Sequence, residues 1–245
     1  MAFADYNRSA VWGGFPMQDL LSEPGKAFYD FDDLAHIDST ATTGKWVLTQ
    51  VTSGTAVIID GAGGLLKLDA GATTADQGVQ LQWIKESVKY SATTPVYLET
   101  YITAITNPAN QFFFGLSITD TSLFATGENS STDHIGFEMN ATSIAANANA
   151  LQFVSESGGT RTTVADVHEI VASEGFFLGI RIERGTATAY VNGVPVGTIT
   201  TNIPTTELAP TIALLAEGTT QPTATFDWIR VGNVLDRSLT TILAQ

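Results

Sequence analysis

The sequence predicts an all-β protein in which an extended N-terminal arm precedes a sandwich of two antiparallel sheets. From residue 28 onward, apolar and polar side chains alternate with a period of two, as they do in half-buried strands. Short loops rich in Gly, Asn and Thr separate the alternating segments, which is typical of sandwiches and barrels. The chain of 245 residues is 44% hydrophobic, so it can bury one large core.

Residues 1–27 predict an extended arm because Gly and Pro interrupt every short apolar run in this segment. The segment is nevertheless too apolar for a solvent-exposed linker, and we expect it to lie against a protein surface. The side chains predicted to make that contact are Phe3, Tyr6, Val11, Trp12, Phe15, Leu20 and Leu21.

The alternating pattern predicts the strands one after another. Segment 110–119 is a nearly continuous apolar run and predicts a central strand, whereas segment 163–173 fits either a helix or a strand followed by a turn. Trp46, Trp83 and Trp228 fall at strand positions and are predicted to lie in the core. The other strands are predicted at 46–51, 64–70, 79–84, 96–104, 134–139, 151–155, 176–183, 187–191, 195–199, 211–215 and 223–231.

The chain shows neither a fixed-period repeat nor a linker in its middle. It therefore predicts one sandwich domain over residues 28–231, with the arm over 1–27 and a short tail over 232–245. The net charge of −14 argues against electrostatic binding to nucleic acid or to an anionic membrane. The absence of cysteine excludes disulfide scaffolds, thiolate zinc sites and cysteine nucleophiles.

Segment 176–199 contains two tight turns, and the second is the pair Asn192-Gly193, which suits the positive φ values of a type I′ hairpin. This passage resembles the meander of laminin-G-like, concanavalin A-like lectin and glucanase jelly rolls. Residues 28–32 resemble the opening strand of that family, and residues 226–231 resemble its closing strand. The resemblance implies a two-sheet jelly-roll sandwich whose first and last strands pair side by side, which would place Phe28 and Phe31 near Trp228.

Many domains of this architecture are glycosidases, so a pair of catalytic carboxylates is the first motif to test. Retaining β-glucanases of this kind carry Glu-x-Asp-x-x-Glu on one strand, and that motif does not occur in the chain. Glu99, Glu138 and Glu183 each stand alone on a predicted strand. The sequence therefore predicts that the chain is not an enzyme and that it has no catalytic residue and no cofactor. A polysaccharide-degrading enzyme with an unrecognised carboxylate pair is the less favoured alternative.

Two weaker candidate sites follow from residue type. Asp30 and Asp32 share one face of the predicted first strand and, with Asp227, are a calcium candidate, because calcium prefers clustered oxygen ligands. The alternative is an edge strand whose charges discourage aggregation. Loop 121–133 is the candidate glycan-recognition loop, and Phe124, Asn129 and Asp133 are its candidate binding residues. The equal alternative is a surface loop that binds no ligand.

The N-terminus carries no signal-peptide pattern, and no apolar window is long enough to span a bilayer. The fold also resembles the accessory proteins of tailed phages, among them capsid decoration (cement) proteins. This resemblance implies a virion structural protein of a bacteriophage, assembled in the host cytoplasm and located on the capsid exterior. Its expected partners are the major capsid protein, contacted through the arm, and further copies of itself in a homo-oligomer. The alternative is a carbohydrate-binding, lectin-like module that adsorbs to host surface glycans.

Overall fold

The structure is a computed structural model, and it describes most of the chain from residue 27 to residue 234. The described residues are 27–34, 37, 44–61, 63–71, 73–106, 110–123, 129, 131–139, 149–217 and 221–234, with backbone only at 27–29 and 234. The arm and the tail therefore lie outside the described residues, except for Ala27 and residues 232–234.

Within these ranges the chain forms β-strands and no α-helix. Accordingly, no described helix is long and apolar enough to cross a membrane. The strands are β1 (Ala27–Asp32), β2 (Trp46–Val51), β3 (Thr55–Ile59), β4 (Leu65–Asp69), β5 (Gly78–Trp83), β6 (Val88–Lys89), β7 (Val96–Thr106), β8 (Gln111–Ser117), β9 (His134–Met139), β10 (Ala150–Ser157), β11 (Thr160–Glu169), β12 (Phe176–Glu183), β13 (Thr186–Val191), β14 (Val194–Ile199), β15 (Glu207–Leu215) and β16 (Thr223–Val234).

The strands form two antiparallel sheets. The first sheet has the order β14-β13-β12-β7-β16-β4-β3, and β1 also pairs with β16. The second sheet has the order β11-β10-β9-β8-β15-β5-β2, with the short β6 paired to β15. The long β16 borders β7 along one edge and, along its other edge, borders first β4 and then β1. The first and last strands therefore lie side by side, as the resemblance implied.

The core lies between the two sheets and takes the apolar member of each alternating pair. Phe226 of the first sheet and Phe112 of the second are fully buried, and their rings stack across the interface with centroids 6.3 Å apart. Trp46 and Trp83 are also in the core and meet edge to face at 6.2 Å. The prediction of a two-sheet antiparallel jelly-roll sandwich is confirmed.

The segment that fitted either a helix or a strand followed by a turn takes the second form, since β11 runs through it as far as Glu169 and a turn follows. Two details differ from the sequence prediction. β16 continues to Val234, beyond the residue at which the sandwich was predicted to end. The edge strand β3 and the short β6 were not predicted at all.

Trp228 is the third tryptophan predicted for the core, and it lies instead on the outer face of the first sheet. The register of β16 against β7 shifts between Phe226 and Trp228, so that Asp227 is one extra residue in the strand. Such a bulge turns the following side chain to the opposite face. Phe226 therefore points into the core, whereas the ring of Trp228 lies 6.0 Å from that of Phe31.

The Asn192-Gly193 turn is formed as predicted. Asn192 has a φ of 49° and Gly193 a φ of 81°, the positive values that this type of hairpin requires. The side-chain oxygen of Asn192 also accepts a hydrogen bond of 2.9 Å from the backbone N–H of Phe177 on the neighbouring strand. The turn is thus held by its own geometry and by a bond to β12.

Candidate functional site

The face of the second sheet that points away from the core carries polar side chains on five adjacent strands, beside a small apolar cluster of Phe113, Leu123, Val154, Ala213 and Leu215. Alternate residues of these strands enter the core, so the intervening side chains share the outer face. All of these polar side chains are almost fully buried. They are Gln80 and Gln82 on β5, Thr211 on β15, Gln111 and Ser117 on β8, His134 and Glu138 on β9, and Gln152 on β10.

The two glutamines of β5 fasten the segment after β8 to this face. The Gln82 amide donates to the Ile118 carbonyl at 3.2 Å, and its oxygen accepts from the backbone N–H of Asp120 at 3.0 Å. The Gln80 oxygen accepts from the backbone N–H of Leu123 at 3.2 Å. Gln80 also donates to the oxygen of Gln82 at 2.8 Å. The backbone from 118 to 123 is therefore fixed at several points.

A cleft of about 340 Å³ opens where this fixed segment meets β2 and β5. Its size lies at the lower end of the range usual for small-molecule sites. Apolar groups of Val47, Trp83 and Ile84 line it together with hydroxyl, amide and carboxylate groups. The polar lining residues are Thr49, Gln82, Thr119, Asp120 and Thr121.

Asp120 supplies the carboxylate of the cleft. Its Oδ1 accepts from the backbone N–H of Ser122 at 2.9 Å and from the Ser122 hydroxyl at 3.2 Å, which closes a local turn. The neighbouring Thr119 is held by the Glu86 carboxylate, which accepts from its backbone N–H at 2.7 Å and from its hydroxyl at 2.8 Å. The wall of the cleft that the segment after β8 forms is thus preorganised by hydrogen bonds.

His134 is a fully buried base further along the same polar face. Its Nδ1 lies 2.8 Å from the carbonyl oxygen of Ser131. Because a carbonyl can only accept, Nδ1 carries the proton and Nε2 is the basic nitrogen. Burial lowers the pKa of His134 to about 4, and the charge of Arg161 acts in the same direction. His134 is therefore neutral at ordinary pH.

Glu138 is a fully buried carboxylate on the outer face of β9, on the same face as His134. Its Oε1 accepts from the Arg161 guanidinium at 2.7 Å and from the Gln152 amide at 3.3 Å. The opposite charge of Arg161 compensates its burial. Glu99 and Glu183, the other two acids that the sequence singled out, form ion pairs with Arg230 and Arg181.

The described members of the predicted glycan loop are engaged within the fold. Asn129 is buried, and its Oδ1 accepts from the backbone N–H of Ser131 at 3.0 Å. Asp133 accepts from the backbone N–H of Gly158 at 2.7 Å and from the Thr206 hydroxyl at 2.9 Å. Phe124 lies outside the described residues. Thr121, at the beginning of this loop, lines the cleft.

The predicted calcium ligands do not fit a calcium site. Lys45 pairs with Asp30 and also with Asp32, whose Oδ2 further accepts from the Trp46 indole at 2.7 Å. The Lys45 ammonium thus already supplies a cation between these two carboxylates. Burial and the charge of Asp33 raise the pKa of Asp227. Over the ranges that the structure describes, no group of three or more metal-ligating side chains comes together.

The seven apolar arm residues predicted to bind a partner lie outside the described residues. They are Phe3, Tyr6, Val11, Trp12, Phe15, Leu20 and Leu21. Docking on a major capsid protein, homo-oligomerisation and location on a virion therefore stay predictions.

The fold defines a protein class shared by lectins and glucanases, the concanavalin A-like jelly-roll sandwiches. Peanut lectin with a bound 9mer peptide has a TM-score of 0.60 at 12% identity, over 86% of this chain and 99% of that one. Winged bean acidic lectin complexed with methyl-α-D-galactose has a TM-score of 0.57 at 10% identity, over 86% of this chain and 100% of that one. The β-glucanase of Bacillus licheniformis has a TM-score of 0.56 at 16% identity, over 85% of this chain and 99% of that one.

At these identities the likeness establishes the fold alone. No protein-family model matches the chain. No curated protein matches it at a significant level either.

The prediction that the chain is not an enzyme was wrong as an inference from sequence. Besides the Bacillus enzyme, the similar structures include a prokaryotic β-1,3-1,4-glucanase, a glycosidic hydrolase and an endo-1,3-β-glucanase from Streptomyces sioyaensis. The prediction rested on a missing linear motif, whereas a site on a sheet face draws its residues from several strands. The missing motif therefore does not exclude enzymatic activity in this chain.

Sequence reasoning missed Gln80, Gln82 and Asp120. They meet because β5 and the segment after β8 converge on one edge of the second sheet, about forty positions apart in the chain. One signal was present: Gln at two successive outward positions of an otherwise apolar strand indicates a polar face that must find partners.

Proposed function

We propose that this protein binds carbohydrate in the cleft between β2, β5 and the segment that follows β8. The observation that carries the proposal is Asp120, a half-buried carboxylate whose backbone is fixed by Gln80 and Gln82 at the mouth of a cleft. A carboxylate accepts two sugar hydroxyls, and the hydroxyls of Thr49 and Thr121 can both donate and accept. The lectins among the similar structures support the same ligand class.

Apolar groups complete the match to a sugar. A pyranose presents hydroxyl groups at its rim and C–H groups on its faces, so its site needs both kinds of contact. Val47 and Ile84 supply half-buried apolar surface beside the polar groups of the cleft. Because the segment from 118 to 123 is held in advance, a bound sugar would not have to order it, which favours affinity.

Replacing Asp120 by Asn should weaken glycan binding about tenfold or more, because hydrogen bonds to a charged acceptor are roughly twice as strong as those to a neutral one. Asn still offers an oxygen to Ser122, so the local turn is expected to persist. The measurement is titration calorimetry on the soluble oligosaccharide that binds best in a panel of neutral glycans, with and without calcium.

Asp166→Asn is the matched control. It makes the same charge change at an exposed position of β11, and Asn tolerates the positive φ of 52° found there. Wild-type affinity is expected for this variant. If the unmodified protein binds no glycan in the panel, or if the Asp120 and Asp166 variants bind equally well, the proposal fails.

Glycan hydrolysis is the second candidate function, favoured by the glucanases of the same fold. Asp120 is the carboxylate to test, because it lines the cleft, whereas Glu138 is fully buried and paired with Arg161. Release of reducing ends from a β-glucan, lost in Asp120→Asn, would assign hydrolysis to the cleft. Binding without release assigns recognition alone.

A further inference from the structure

Four aromatic side chains form a continuous strip on the outer face of the first sheet, on the opposite side of the sandwich from the cleft. This aromatic ridge consists of Phe31, Trp228, Tyr101 and Phe177, which stand on the adjacent strands β1, β16, β7 and β12. Trp228 lies 6.0 Å from Phe31 and 6.1 Å from Phe177, and Phe177 lies 4.5 Å from Tyr101, measured between ring centroids.

The ridge is exposed, although large aromatic side chains are usually buried. Phe31 is 51% exposed and Phe177 is 41% exposed, while Trp228 and Tyr101 are half-buried between them. Neighbouring rings are tilted by 32° to 45° to one another. A contiguous exposed apolar strip of this kind marks an interaction surface.

The local chain geometry builds this surface. If β16 alternated regularly through Asp227, Trp228 would share the face of Phe226 and enter the core, and the bulge at Asp227 prevents this. Beside the strip, the Arg230 guanidinium lies 4.9 Å from the Trp228 ring centroid and pairs with Glu99. The ridge thus combines apolar ring surface with the fixed hydrogen-bonding groups of Arg230.

We propose that the aromatic ridge binds the apolar face of a neutral polysaccharide chain and forms a second glycan site, independent of the cleft. Aromatic rings offer large rigid surfaces on which the C–H face of a sugar can stack, and consecutive rings suit consecutive sugars of a polymer. A net charge of −14 opposes the binding of nucleic acid and of anionic polymers. A neutral polymer carries no such penalty.

The test is retention of the full chain on insoluble neutral polysaccharides, with microcrystalline cellulose and insoluble β-1,3-glucan as probes. The double variant Phe31→Ala/Phe177→Ala removes the two exposed rings and should bind about tenfold or more weakly. Asp120→Asn should be retained like the unmodified protein, because it alters only the cleft. Val194→Ala, at an apolar position of β14 that is 60% exposed, is the control for losing surface apolar area.

Thermal melts confirm that each variant is folded, and sedimentation measures its oligomeric state. The proposal is overturned if the unmodified protein is not retained on either polymer, or if the double variant is retained equally well. It is also overturned if the unmodified protein is a dimer that the double variant converts to monomer, since a second copy would then cover the ridge. Loss of oligosaccharide binding in Asp120→Asn with retention intact separates the cleft from the ridge.

Discussion

Replacing Phe226 by Ala is expected to lower the free energy of unfolding by about 3–5 kcal/mol, the usual cost of deleting a fully buried Phe side chain. Phe226 is completely buried and stacks on Phe112 of the opposite sheet with an interplanar angle of only 10°. The substitution would leave a cavity at the contact between the two sheets, which the rigid strands on either side can fill only in part. Urea denaturation followed by tryptophan fluorescence measures the change.

Phe177→Ala is the matched control, because it removes the same side chain from a position that is 41% exposed. Its expected cost is about 1 kcal/mol, mainly the lost ring contact with Tyr101. Equal losses of stability in the two variants would contradict the placement of Phe226 between the sheets.

The stability of the protein should fall as the pH is lowered from about 6.5 to about 4, and His134 should account for up to about 3 kcal/mol of that loss. The pKa of His134 is lowered to about 4 in the folded protein, mainly by burial, whereas an unfolded histidine titrates near its ordinary value of 6.5. Above pH 6.5 both states are neutral and the full stability is present. Between the two values only the unfolded state takes up the proton, so lowering the pH favours unfolding.

His134→Gln removes this titration, so its free energy of unfolding should vary less with pH than that of the unmodified protein. Carboxylates that titrate in the same interval remain in both proteins, so the difference between the two pH profiles isolates His134. His168→Gln is the control: burial lowers the pKa of His168 too, but that residue is only half-buried and should alter the profile less. Parallel profiles for the unmodified protein and His134→Gln would refute the assignment.

Alternation of side chains predicted the sandwich because it reports directly which face of a strand meets the core. The predicted bounds of β2, β9 and β12 agree with the structure, since these strands have regular alternation. The same rule failed at Trp228, because one inserted residue in β16 reverses the faces and alternation assumes that none is inserted. β3 was not predicted because it is a short edge strand with little burial.

The candidate site was less predictable than the fold, because its parts come from separate regions of the chain. Of the loop predicted for glycan binding, Thr121 lines the cleft, whereas Phe124 lies outside the described residues. Asp120, one residue before that loop, has no distinguishing local pattern. Its position depends on hydrogen bonds to Gln80 and Gln82, which exist only once both strands are paired. The aromatic ridge likewise exists only after four strands of the first sheet are assembled.

The position of β16 in the chain has a consequence for how this protein is made. Every strand of the second sheet has been synthesised by Leu215, so that sheet can assemble while the last described strand is still absent. The first sheet remains in separate pieces until then, because β1, the β3–β4 hairpin and the β7-β12-β13-β14 group are joined only by β16. Ala27 pairs with Val234, which is synthesised roughly 200 residues later. Pairing between segments so far apart in the chain predicts slow folding. Until β16 arrives, β4 and β7 present open edges, so chaperone binding or aggregation of nascent chains should concentrate in that interval.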